Sequence, residues 1–301
     1  MPTFASPLFL AVLGGVIIGN LLPRDSGLRP AFRFAATWLL RVGVVLLGLR
    51  ISLSDLTSIG ATGLLVVVTT VVVTFFGARW LGRRLGVDPD LALLVGTGYA
   101  ICGISAVSAM NGVIHADEEE VAYAVGLVTL AGSLSIIVLP LLGSVLGLAP
   151  TEFGTWVGGA VHDVAQTIAT ASTSTDVATE AAIVTKLSRV ALLAPLILAV
   201  TVARRRRNLS DFATKRPPLL PWFVVGFLAM VALRSTDWLE ENAVESVRAL
   251  EGWLFVVALV GVGAGVDIGR LRRLVGRPLQ LGLLTWLVVA GVSYLAVVFI
   301  S

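Results

Sequence analysis

Two stretches hold most of the residues in this 301-residue chain that could do chemistry in an apolar setting: Gly96–His115 (GTGYAICGISAVSAMNGVIH) and Trp156–Ser172 (WVGGAVHDVAQTIATAS). The second contains His162, one of only two histidines, directly before Asp163. An imidazole titrates near neutral pH and a neighbouring carboxylate stabilises its charged form, so His162–Asp163 suits proton or ion coupling. Asp163, Gln166, Thr167 and Thr170 share one helical face by their i, i+3, i+4 and i+7 spacing. Asp163 with Gln166 three positions on also reads as a capping box. A cap is needed inside a membrane only where a helix breaks beside a protein- or water-lined cavity.

In the first stretch Gly96, Gly98 and Gly103 flank Cys102 and Ser105. Glycine weakens a helix by ~1 kcal/mol relative to alanine, and serine is a good N-cap. Two half-helices are therefore expected to meet near Ala100–Ser105, the second starting at Ser105. Its free N–H groups and positive dipole end would favour an anion. Ser105, Ser108, Asn111, Gly112 and His115 then follow along one face. Close packing of small residues competes as an explanation for the serines, whereas Asn111 deep in a span points to binding. The candidate substrate-binding set is Cys102, Gly103, Ser105, Ser108, Asn111, Gln166, Thr167, Thr170 and Arg189.

The elements that must position these residues are membrane spans. The chain is 56% hydrophobic and 14% charged, with mean hydropathy +0.94, where soluble domains carry ~25% charged residues. A span needs ~20 apolar residues, and ten such segments can be placed, leaving no room for a separate soluble domain. They are Pro7–Leu22, Phe34–Leu49, Ala61–Trp80, Leu91–Ile114, Val121–Leu148 (broken near Pro140), Phe153–Ser172, Ala181–Ala203, Leu219–Leu233, Leu250–Val266 and Pro278–Ile300. The expectation is an all-α membrane protein of about ten transmembrane helices forming one domain over 1–301, with halves 1–148 and 153–301, in which spans 4 and 6 are interrupted. The first apolar run lacks a basic leader and reads as a true span.

Charge supports an orientation. Most of the 22 basic residues fall in alternate loops: Arg24, Arg29 and Arg33; Arg79, Arg83 and Arg84; Arg204 to Arg207, Lys215 and Arg216; Arg270, Arg272, Arg273 and Arg277. By the positive-inside rule these loops are cytoplasmic, both termini are outside, and the acidic runs Asp117–Glu120 and Glu240–Glu245 are outside. The run Asp117–Glu120 also suits the first turn of a helix. The net charge of +3 thus reflects topology, and no nucleic-acid partner is expected. The end of span 2 (VVLLGLRISLSDL) and that of span 9 (VVALVGVGAGVDIGRL) match weakly while running oppositely, the mark of an inverted-repeat transporter. Spans 4 and 6 would run the same way if both crossed fully, which leaves re-entrant folding open for either.

Three more cations lie within spans. Lys186 is placed to snorkel outward, while Arg189, deeper, needs a partner in Asp163 or in an anionic substrate. Arg41 raises the same need. Two intramembrane arginines against one mid-span aspartate favour an anionic substrate. Two histidines and one cysteine speak against a zinc site, and no GxxxxGK[ST] loop points to ATP hydrolysis. No cofactor is expected beyond H+ or Na+ as coupling ion, and no catalytic residue is assigned. The alternatives are a sodium-coupled symporter of an organic anion with carbonyls near Cys102 and Asp163 holding the cation, an intramembrane hydrolase using His162 with Ser105 or Ser108, and a passive channel.

At Cys102–Gly132 and Phe153–Ala171, supported by LRVGVVLLGLRIS (Leu40–Ser52) and KLSRVALLAP (Lys186–Pro195), the chain resembles the YeiH-type family of sulfate exporters along nearly its whole length. The resemblance implies a multi-pass inner-membrane protein with crossed, broken helices, distantly similar to bile-acid symporters and cation/proton antiporters. The family's C-G-x-S and H-D-x-A-Q patterns fall on Cys102–Ser105 and His162–Gln166. The expected activity is export of a small anion, sulfate or sulfonate-like, coupled to protons. The expected partners are that anion and the lipid bilayer; homo-oligomerisation is left open.

Overall fold

The computed structural model describes residues 7–23, 26–50, 60–206, 222–236, 241–271 and 274–300. Among them every regular element is helical, as lipid demands: it offers no hydrogen-bond partner, so each span must satisfy its own backbone. The protein is an all-α membrane protein. Among the described residues six helices are long and apolar enough to cross a bilayer: Leu28–Leu47, Gly63–Leu85, Glu118–Leu146, Asp176–Arg204, Val244–Ala264 and Gly276–Phe299.

In chain order the helices are α1 (Pro7–Leu21), α2 (Leu28–Leu47), α3 (Gly60–Leu85), α4 (Pro89–Ala100), α5 (Ile104–Ile114), α6 (Glu118–Leu146), α7 (Pro150–Ala160), α8 (Val164–Ala171), α9 (Asp176–Ala191), α10 (Leu193–Arg206), α11 (Trp222–Arg234), α12 (Glu241–Ala264), α13 (Ile268–Leu271) and α14 (Gly276–Ile300). Helix α2 carries a π-helical turn at Ala35–Leu39. Helix α6 opens on the expected acidic first turn, with the Glu120 carboxylate accepting from the Asp117 N–H at 3.2 Å. It runs unbroken through Pro140, contrary to the break expected there.

The interrupted stretches do not cross; each turns back. Arg204 pairs with Asp90 at the start of α4 and donates to the Ile114 carbonyl at the end of α5 (3.3 Å), so both ends of this stretch lie at one level. Gly98 and Val107, symmetric about the break, pack against each other. Helices α4 and α5 therefore form a hairpin with its tip at residues 101–103. In the second stretch Gly154 lies against the Ala178 backbone and Gly158 against Ala182 and Thr185, so α7 and α9 run parallel in register. Helix α8 must then run back between them, which makes α7 and α8 a second hairpin with its tip at residues 161–163. This corrects one part of the expected topology: the acidic run Asp117–Glu120 lies at the same end as Arg204, because the chain has returned there.

The hairpins enter from opposite ends and meet at their tips. Around them α3, α6, α9–α10 and α14 form a core. Trp156 ties the second hairpin to α14, its indole donating to the Ala290 carbonyl (2.8 Å) while its own carbonyl accepts from Ser293 (3.2 Å). Helices α1, α2, α11 and α12 make a four-helix panel. Helix α1 runs parallel to α12, with Gly15 beside Val260 and Gly19 beside Ala264, and α2 runs parallel to α11, with Gly226 beside Val45 and Gly48 beside Met230. Helices α2 and α12 are antiparallel, Gly43 meeting Phe255 and Gly261 meeting Ala35.

These directions pair α1 with α11, α2 with α12, α3 with α14, one hairpin with the other, and α6 with α9–α10, each pair inverted. The weak match between spans 2 and 9 falls on α2 and α12, although residues 51–56 of it lie outside the described set. In the second half the hairpin comes first in sequence, whereas in the first half it follows three helices. The repeat is thus inverted and circularly permuted. Of the charge tally, Arg24, Arg207, Lys215, Arg216, Arg272 and Arg273 also lie outside the described residues.

Candidate functional site

The break in the first stretch is set by Gly103, at φ +70°, a left-handed-side conformation that only glycine adopts cheaply. A side chain there would also press on Val128, on Asp163 Cβ (3.6 Å) and on the His162 backbone (3.6 Å), so Gly103 is where the two tips touch. Helix α5 starts at Ile104 with Gly103 as its cap residue, one position before the expected Ser105 cap. Its first turn therefore has no side-chain cap. The second break is capped as expected: Asp163 Oδ1 accepts from the Ala165 N–H at 2.9 Å. Gln166 does not complete a capping box. Its amide lies in the notch left by Gly132 and donates weakly to the Thr129 carbonyl at 3.4 Å.

Each tip has two helix ends of opposite polarity. The negative ends, the C-termini of α4 and α7, are gathered by two cations. Arg189, fully buried, donates Nε to the Ala100 carbonyl (2.8 Å) and its two terminal nitrogens to the carbonyls of Tyr99, Gly158, Gly159 and Val161. Lys186, also fully buried, donates to the Val161 carbonyl at 2.5 Å. Lys186 does not snorkel outward, and Arg189 finds its partners in backbone carbonyls from both hairpins rather than in a carboxylate. A guanidinium presents five donors in a fixed fork, which is what joining two helix ends requires.

The positive ends, the N-termini of α5 and α8, face a cavity of about 1410 Å³ between core and panel. Its wall on the core side includes Cys102, Ser105, Ser108, Thr129, Asp163 and Gln166; its panel wall includes Arg41, Trp222 and Phe223; and Arg29, Arg33 and Asp267 line it towards the α1–α2 turn. The Arg41 guanidinium lies over the rings of Trp38 (5.9 Å) and Phe223 (5.7 Å), with no ion pair among the described residues. Arg29 is occupied by the carbonyls of Gly19, Leu22 and Pro23 at the end of α1.

The structure thus brings Cys102, Ser105, Ser108, Asp163, Gln166 and Arg41 to one cavity, with Gly103 holding the tip behind them. Other expected residues lie elsewhere. The Asn111 side chain accepts from the Ala116 N–H at 2.9 Å, finishing α5. Thr167 and Thr170 donate to the carbonyls of Asp163 (2.8 Å) and Gln166 (2.7 Å) within their own helix. His162 is buried against Tyr99, ring centroids 4.0 Å apart, and among the described residues neither ring nitrogen has a hydrogen-bond partner. It does not line the cavity, so neither Ser105 nor Ser108 meets it there. The sequence reading missed Thr129, Trp222 and Phe223, which reach the cavity from α6 and α11 and carry no local signal. Trp38, three residues before Arg41, was the one legible hint of that cation's aromatic seat.

The family model described as conserved hypothetical protein 698 matches residues 2–282. The chain belongs to this family. Relatives include a UPF0324 membrane protein of Corynebacterium glutamicum, 39% identical over 273 residues (91% of this chain, 79% of the relative). A UPF0324 membrane protein of Pseudomonas aeruginosa is 36% identical over 299 residues (95% and 84%), and the UPF0324 inner membrane protein YeiH of Escherichia coli is 30% identical over 297 residues (95% and 84%). The resemblance to the YeiH family read from the sequence therefore holds over most of the chain. No solved structure matches.

Proposed function

We propose that this protein is a secondary transporter that exports a small anion of the sulfate or sulfonate class, coupled to protons. One observation carries the reading: the uncapped N-terminus of α5, with Ser105 and Ser108, faces Arg41 across a cavity that ends at the touching hairpin tips. Free N–H groups, a positive helix end and a guanidinium are the features that bind oxyanions. Asp163, the carboxylate on the same wall, is the proton-coupling residue. The basic helix ends are cytoplasmic and both termini are outside. Because Arg189 fastens the two hairpins together, access alternates by displacement of the core against the panel.

The sodium-coupled reading has less support. The carbonyls of Tyr99, Ala100, Gly158, Gly159 and Val161, which would hold a cation at the broken helices, are occupied by Arg189 and Lys186.

Purified protein in proteoliposomes, loaded with labelled sulfate under an imposed pH gradient, tests the proposal. Flux driven by the gradient is expected. Arg41→Gln should weaken it about 10- to 100-fold, the weight of a charged hydrogen bond, and Ser105→Ala by roughly tenfold. Absence of flux for sulfate and sulfonates, or flux indifferent to both changes, rejects it.

A further inference from the structure

The cavity wall carries charge of both signs. Asp163 sits on the core tip, its Cβ 3.6 Å from where a side chain on Gly103 would lie and so beside the first turn of α5. Arg41 comes from the panel, and no ion pair joins the two among the described residues, although they lie within electrostatic reach. Gln166, part of the same wall and only 4% exposed, turns its side-chain amide into the Gly132 notch on α6 and so away from the cavity. The wall therefore offers an anion site at α5, Ser105, Ser108 and Arg41, and beside it the Asp163 carboxylate, which has no ion pair among the described residues and calls for a cation. The other charged or titratable groups around Asp163 are Lys186 and Arg189 from α9, Cys102 from the first tip and His162 next to it.

We infer that the transported molecule is a short zwitterion, an ammonium group held a few bonds from an oxyanion, with its oxyanion at the α5 N-terminus and Arg41 and its ammonium at Asp163. The inference rests on the transport reading above and fixes its coupling sign. A simple anion bound ~5 Å from Asp163 raises that group's proton affinity, by a factor on the order of 250 at an effective dielectric near 20, so anion and proton would bind together and travel in one direction. Exchange requires competition. An ammonium that takes the place of the Asp163 proton supplies it, because each cation bound releases the other.

Calorimetric titration of the detergent-purified full chain tests this with two matched pairs: 2-aminoethanesulfonate against 2-hydroxyethanesulfonate, and 3-aminopropanoate against 3-hydroxypropanoate, with sulfate as reference. In at least one pair the amine should bind tenfold or more tighter, tighten as pH rises from 6 to 8, and release protons to the buffer. Asp163→Asn, which keeps a competent helix cap, should bring the two members of that pair level without lowering the thermal midpoint. Equal binding within both pairs, proton uptake on binding, or no binding by any probe overturns the inference. Sulfate flux with proton uptake alongside equal binding rejects the zwitterion alone, whereas absence of flux for every probe rejects transport as well.

Discussion

Arg189 and His162 show how the role of a buried polar residue depends on what it can reach. The chemistry of both was legible in the sequence, since a charge or imidazole in an apolar span marks a place where something must satisfy it. What the sequence hid was the satisfier. Arg189 is matched by carbonyls that exist only because two other helices end beside it, and helix ends do not announce their direction in one dimension. Removing one partner of such a buried network costs ~3–5 kcal/mol. Arg189→Met is therefore expected to lower folded yield and thermal midpoint sharply, measured by size-exclusion after heating, and Arg189→Lys should rescue only part because it lacks the fork. His162→Phe keeps the ring against Tyr99 and removes two unpartnered nitrogens, so it should fold as well as the parent or better. Under the transport reading it should also keep its pH-dependent flux, while Asp163→Asn loses it.

At the scale of elements, the breaks were legible and the turns were not. Glycine clusters at residues 96–103 and 158–159 marked where helices end, and Asp163 marked where one restarts. Composition cannot say whether a helix restarts onward or backward, because both courses bury the same apolar residues. Glycine contacts decide it here. Gly158→Ala drives a methyl into the Ala182 backbone, and overpacking of this kind costs ~1–3 kcal/mol. Gly112→Ala, with open space around it, should be neutral or gain up to about 1 kcal/mol from helix propensity; thermal midpoints separate the two. The hairpins themselves are tested by labelling with a membrane-impermeant thiol reagent in a Cys102→Ser background. Cysteines placed at Pro89 and Ala116 should react from one side only, the same for both, and cysteines at Leu148 and Ser174 from the other. The loop before α4 adds a pH signature: the Asp90 N–H holds the Asp88 carboxyl below its usual range. That cap is complete above the ordinary carboxylate range and is lost as pH falls through the lowered value.

For the whole molecule, counting apolar segments was enough to recognise a polytopic all-α protein, and the charge asymmetry survived because two crossings were replaced by two returns. That exchange leaves the described basic helix ends, at Arg29, Arg84, Arg204 and Arg277, at the same end. The start of α1 at Pro7 and the end of α14 at Ile300 share the opposite end; under the proposed orientation a periplasm-dependent reporter such as alkaline phosphatase, fused at the C-terminus, should be active while a green fluorescent protein fused there stays dark. The permutation of the inverted repeat was not legible, since the weak match between α2 and α12 spans only one of the five helix pairs and gives no order for the rest.

The fastening of both hairpins by one guanidinium has a kinetic corollary. Under the proposed activity, two tips that cannot part cannot open one after the other, so no intermediate is expected in which both faces of the barrier are ajar. Under the proposed activity this makes turnover stoichiometric, with almost no slippage of protons in the absence of cargo. The same design concentrates the failure in one place. A folded fraction of Arg189→Lys should transport with a degraded ratio of cargo to protons, visible as an uncoupled proton current in liposomes.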